Sequence, residues 1–69
     1  MEDNVVAVVG IDKGTGFINA VTSCYVEDSK RFAKYYRSIG YSARVVSYEE
    51  LDMMLEEERQ YRMKYSGIF

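Results

Sequence analysis

Between Val5 and Ile11 almost every position is apolar and most are β-branched: Val5-Val6-Ala7-Val8-Val9-Gly10-Ile11. An unbroken run of this kind predicts a strand buried on both faces, and therefore the centre of its sheet. Asp12-Lys13-Gly14-Thr15-Gly16 follows, five residues that tolerate turn conformations and include two glycines free to take positive φ, so a tight hairpin is expected. Phe17 to Ser23 then returns as a second strand.

Near Glu27 and Asp28 the apolar period changes. Phe32, Ala33, Tyr36 and Ile39 share one helical face while Lys30, Arg31, Lys34 and Arg37 take the others, which predicts an amphipathic helix ending at Ile39. Gly40 is placed to stop it. With Gly40 as the first residue past the helix cap, Tyr41 can pack back on Tyr36, the hydrophobic contact of a Schellman end. From Tyr41 to Ser47 the chain alternates Tyr41, Ala43 and Val45 against Ser42, Arg44 and Val46, a third strand with a more polar side that suits an edge.

Ser47-Tyr48-Glu49-Glu50 has the spacing of a capping box, in which the Ser47 hydroxyl accepts from the Glu50 amide and the Glu50 carboxylate reaches back to the Ser47 amide. The second helix is therefore expected from Tyr48 to about Tyr65, closed by Gly67 with Ile68 touching Met63. Within it, Glu58 and Arg62 are spaced for an i,i+4 ion pair, worth about 0.2–0.5 kcal/mol.

The order ββαβα makes a small two-layer α+β domain spanning residues 1–69, with a three-stranded sheet in the order 2-1-3 and two helices. The first strand runs antiparallel to both neighbours, and the second and third run parallel to each other. Because the first strand is apolar on both sides, each face needs a cover. Either the helices take one face each, or both pack on one face and a second copy covers the other. A chain of this size sits where a single core is marginal and oligomerisation commonly supplements it, and the opposite charges of the two helices would suit association, so a homodimer is expected.

Composition narrows the chemistry. With no histidine, no tryptophan and one cysteine, the chain lacks the residues of a His-based triad, a Cys/His zinc site or an internal disulfide. Nine basic against eleven acidic residues give a net charge of −2, which argues against a protein whose whole surface is a nucleic-acid platform, though a local basic strip remains open. The Val5–Val9 run is about a quarter of the roughly 20 residues a membrane helix needs. Met1-Glu2-Asp3 is acidic where a signal peptide would be basic, so a soluble cytoplasmic protein is expected.

Val9-Gly10-Ile11-Asp12-Lys13-Gly14-Thr15-Gly16 resembles the first phosphate loop of the actin-like sugar kinases and chaperone ATPases, whose strand–turn–strand runs G-I-D-x-G-T. That resemblance covers about six residues. It implies that Asp12 would help place a metal and that the Gly14-Thr15 backbone, beside Lys13, would approach the phosphates of a nucleotide. The same residues are also what a tight hairpin demands, and no Gly-Lys-Ser/Thr follows Gly10 at the spacing of a Walker loop.

Glu49, Glu50, Asp52, Glu56, Glu57 and Glu58 place six carboxylates and no cation in ten residues, followed by Arg59, Arg62 and Lys64. This polarity favours the helix dipole, and it equally offers an acidic face to a basic groove. Acid–base catalysis needs two carboxyl groups in unlike environments, and these share one exposed-looking face, so a catalytic pair is not expected. Cys24, near the start of the first helix, has no histidine to act as base and reads as a core residue.

Seven tyrosines, at 25, 35, 36, 41, 48, 61 and 65, are unusual in so short a chain. Tyr36 and Tyr41 are accounted for by the helix cap; Tyr35, Tyr61 and Tyr65 are not, and tyrosine is favoured at interfaces for its large contact area and polar tip. The resulting expectation is a non-enzymatic interaction module that binds, and inhibits, a larger protein or nucleoprotein through Tyr35, Glu56, Glu57, Glu58, Tyr61 and Tyr65, with no cofactor, no metal and no membrane. In size, acidity and lack of catalytic residues it is similar in type to the small inhibitors that phages and mobile elements encode against host or defence enzymes, including anti-CRISPR proteins. The alternatives are a small phosphate-ligand binder using Asp12, Lys13, Gly14 and Thr15, and a nucleic-acid accessory using the cations of the first helix.

Overall fold

The computed structural model describes residues 4–66, with side chains described through Lys64. Strand β1 is Val5–Ile11, β2 is Ile18–Tyr25, a 3₁₀ turn covers Val26–Asp28, helix α1 is Ser29–Ser38, β3 is Ser42–Val46 and α2 is Tyr48–Ser66. The sheet order is β2-β1-β3 with β1 antiparallel to both neighbours, as the apolar run of β1 requires. β2 starts one residue later than its sequence suggests and runs two further, to Tyr25, because Val5 and Val6 at the head of β1 pair with Tyr25 and Cys24. No helix among the described residues is long and apolar enough to cross a membrane.

Alternation along β1 divides the core in two. Ala7 and Val9 join Val46 on one face, with Leu51 and Met54 of α2 packed against them. Val8 joins Ala33 and Tyr36 of α1 on the other, flanked by Phe32, Tyr41 and Cys24. The helices therefore lie on opposite faces, and the expected two-layer packing gains a third layer with the sheet in the middle. Val8 and Val9 are completely buried, each stabilising the fold by about 1.5–3 kcal/mol. α2 is the more lightly held helix: among its described side chains only Leu51, Met54 and Glu58 reach even half-burial.

The end of α1 forms as its sequence predicts. Gly40 takes φ of 103°, the Tyr41 amide donates to the Tyr36 carbonyl at 3.0 Å and the Gly40 amide to that of Arg37 at 3.2 Å, the paired bonds of a Schellman motif. The Tyr36 and Tyr41 rings meet edge to face, 6.2 Å apart. The hydroxyl of Tyr36 reaches across β1 to hydrogen-bond Thr22 on β2, which satisfies the one polar atom of an otherwise buried ring. Ile39, expected on the buried face, is 52% exposed; it is the cap residue just past α1, with φ of −101° and ψ of 12°, and so leaves the helical face that carries Ala33 and Tyr36.

Two other local expectations are revised. The Glu50 amide does donate to Ser47 Oγ at 3.1 Å, but the Glu50 carboxylate turns to Arg44 at 3.0 Å, so an ion pair to β3 replaces the return half of the capping box. The Glu58–Arg62 pair also gives way: Glu58 accepts from the Ile18 amide, and the Arg62 guanidinium stacks on the Phe17 ring 4.3 Å from its centroid. The contact of Ile68 with Met63, and Gly67 as the closing residue, lie outside the described residues.

Candidate functional site

The hairpin after β1 uses its own polar groups. Asp12 Oδ1 accepts from the amides of Gly14 and Thr15 at 2.7 and 2.9 Å, and Thr15 Oγ1 accepts from the Phe17 amide at 3.1 Å. Asn19 reaches the second Asp12 oxygen at 3.4 Å. Those amides, Thr15 first and Gly14 second, hold the Asp12 carboxyl below its ordinary pKa. The Gly14 and Thr15 donors that a phosphate would need are thus turned onto Asp12, while Lys13 stands exposed at the tip.

Where this hairpin meets α2, a cleft of about 340 Å³ opens between the helix and the β1–β2 end of the sheet. Ile11, Ile18 and Met54 supply its apolar lining, and Phe17 and Tyr61 form an aromatic wall with ring centroids 5.6 Å apart. Phe17 carries Arg62 on its ring as well, so one aromatic residue gathers two successive side chains of α2. Glu57, Glu58 and Arg44 complete the lining.

The neighbouring carboxylates of α2 have different surroundings. Glu56 faces away from the cleft and accepts from Arg59 at 2.9 and 3.0 Å and from Gln60 at 2.9 Å; Gln60 and then Arg59 hold its pKa below the usual value. Glu58 Oε1 is 2.6 Å from the Ile18 amide in a half-buried bond that ties the middle of α2 to the start of β2. Glu57 lines the cleft and is exposed. A helix advances about 100° per residue, which is why three adjacent glutamates cannot form one patch.

The residues expected to bind a partner are accordingly divided. Glu57, Glu58 and Tyr61 share the cleft, Glu56 lies on the outer side of α2, and Tyr65 lies in α2 with its side chain outside the described residues. Tyr35 belongs to α1 on the opposite face of the sheet, where it lines a separate groove with Phe32, Tyr36, Arg31 and Thr22. The exposed cations Lys30, Arg31, Lys34 and Arg37 are on that helix too, Arg31 within 3.4 Å of Asp28. Phe17, Met54 and Arg44 are cleft residues that sequence reasoning did not single out; Phe17 directly after the hairpin glycine was the available signal.

Cys24 is half-buried against the α1 side of the core, and burial, with Asp28 adding to it, raises its thiol pKa. That keeps it protonated and weakly nucleophilic. Among the described residues no group of three side chains of metal-ligating type comes together. The chain matches no protein-family description, no curated protein and no solved structure.

Proposed function

We propose that the protein is a non-catalytic docking module that receives a basic side chain of a larger protein in the cleft beneath α2. The observation that carries this reading is the position of Glu57: a carboxylate with no hydrogen bond or ion pair among the described residues, at a cleft with an apolar lining and an aromatic wall, between two glutamates that the fold itself uses. An arginine or lysine of the partner would lay its aliphatic stem along Met54 and Phe17 and bring its charge to Glu57, as long cationic side chains do at interfaces. Tyr61 would add contact area with few rotamers to freeze.

A basic side chain of the partner held in this way is withheld from whatever else it binds. The docking is therefore inhibitory, in the manner of the small inhibitors of phages and mobile elements, anti-CRISPR proteins among them. Support over the phosphate-binding alternative comes from the hairpin, whose Gly14 and Thr15 amides are committed to Asp12.

The test is a titration of isotope-labelled protein with a short arginine- and lysine-containing peptide. Chemical-shift changes are expected at Phe17, Met54, Glu57 and Tyr61, weakening with added salt, lost in Glu57→Lys and retained in Lys34→Glu. Shifts confined to α1, or none at all, would overturn the reading.

A further inference from the structure

The two edges of the sheet are unequal. β3 has five residues, carries Arg44 with its ion pair to Glu50, and leads at once into α2. These are common protections of a sheet edge. β2 has eight residues, and from Gly14 through Val26 the chain holds neither a charged residue nor a proline. This is the longest uncharged stretch in a sequence that is 29% charged.

A strand paired on one side points every second N–H and C=O outward. The Ile18 amide is held by Glu58 and the Tyr25 carbonyl opens the 3₁₀ turn, and between them, outside the β1 ladder, no backbone group of Asn19 to Cys24 has a hydrogen-bond partner among the described residues. Both faces beside this edge are apolar. Val21 and Tyr25 are 43% and 58% exposed on the α2 side, and on the α1 side a groove of about 420 Å³ runs between Thr22 and the rings of Phe32 and Tyr35.

We infer that β2 pairs antiparallel with β2 of a second copy, joining two three-stranded sheets into one of six. Another strand is the partner that satisfies a row of alternating donors and acceptors. Because β2 is uncharged, it can lie against β2 of a second copy without setting like charges opposite one another. The basic α1 and the acidic α2 lie on opposite faces, so contact between α1 of one copy and α2 of the next is heterologous and propagates into an open chain, whereas edge pairing about a two-fold axis closes. α1 packs over β1 and β3 more than over β2. With strands about 4.8 Å apart, the two basic helices of the pair stand on the order of 20 Å from each other, roughly two Debye lengths at physiological salt.

Symmetry also fixes the register. A two-fold axis perpendicular to the sheet keeps each face on its own side, so opposed residues must share parity. With Asn19 left unpaired at the irregularity opposite Gly10 and Ile11, and Tyr25 capping the 3₁₀ turn, the regular free strand runs from Ala20 to Cys24 and its midpoint is Thr22. Thr22 then faces its own symmetry mate, Val21 faces Ser23, and Ala20 faces Cys24 of the second copy.

Sedimentation equilibrium of the intact protein over a wide concentration range should show a monomer–dimer equilibrium, and Val21→Lys/Ser23→Lys, which sets lysine opposite lysine on an already exposed face, should shift it to monomer with unchanged circular dichroism. Ala20→Cys treated with diamide should cross-link to Cys24 of the second copy. Directly opposed Cβ atoms lie about 4.5–5.5 Å apart, close enough for a disulfide with small adjustment, whereas within one strand these positions are too distant to join. The wild type and Ala20→Cys/Cys24→Ser should give little covalent dimer. A wild type that stays monomeric throughout, a lysine variant that still dimerises, or an Ala20→Cys protein that dimerises without cross-linking would each overturn the inference. Glu57→Lys should leave the association unchanged, so the edge and the cleft stand or fall separately.

Discussion

The Glu58 carboxylate sits 2.6 Å from the Ile18 amide, 40 residues away in the chain. It fastens α2 across the sheet at the point where the candidate cleft forms. A half-buried bond to an ionised acceptor is worth more than a surface ion pair, and α2 has few buried side chains to hold it otherwise. Glu58→Ala should lower unfolding stability by about 1–2 kcal/mol, Glu58→Gln by less because an acceptor remains, and Glu57→Lys by no more than about 0.5 kcal/mol as a surface change. Urea denaturation compares the three; equal losses at positions 57 and 58 would refute the division of roles.

On the opposite face, Gly10 accommodates the ring of Tyr36. A methyl group on Gly10 would lie 3.3 Å from Tyr36 Cγ and Cδ2 and 3.1 Å from Tyr41 Cδ2, contacts tight enough to push both rings outward. Gly10→Ala should therefore cost about 1–3 kcal/mol, the range for overpacked cores. The cost should shrink when Tyr41 is replaced by a smaller apolar residue, a coupling that a double-mutant cycle measures.

At the end of α1 the strain would be in the backbone. Gly40 has φ of 103° with nothing within 4 Å of the position a Cβ would take, so space is not the constraint. Gly40→Ala should destabilise by about 1–2 kcal/mol through the left-handed conformation alone. Thermal unfolding that leaves this variant at the wild-type midpoint would count against the Schellman geometry.

The hairpin gives a pH signature. The amides of Thr15 and Gly14 lower the folded pKa of Asp12 below the ordinary carboxylate value, so the ionised form is favoured by folding. Stability from this source is fully present above the ordinary carboxylate value and disappears as pH falls through the lower, folded one. Asp12→Asn keeps an acceptor oxygen without the charge. The wild type should be more stable than Asp12→Asn at neutral pH, and the gap should close on acidification; a gap independent of pH would contradict the sign of the shift.

Much of the fold was legible in the chain because its signals are local. The apolar run of Val5–Ile11 dictated a central strand, Gly40 followed by Tyr41 dictated the cap of α1, and Ser47 marked the start of α2. Wherever a side chain had both a local and a distant partner, local spacing misled: Glu50 chose Arg44 over its own cap, and Glu58 chose Ile18 over Arg62. The candidate site was legible in part, since Glu57, Glu58 and Tyr61 could be nominated from composition, but Phe17 and Met54 become cleft residues only when α2 crosses the hairpin.

The sequence by itself determined which segments are strands and helices, their order, and that β1 must be covered on both faces, since periodicity and turn chemistry act over a few residues. Tertiary structure alone decided that the helices take opposite faces, which separates Tyr35 from Tyr61 and the basic helix from the acidic one. The physical reason is that a helix shows its apolar stripe in its own residues, while the surface that stripe covers is chosen by the direction in which the chain crosses the sheet.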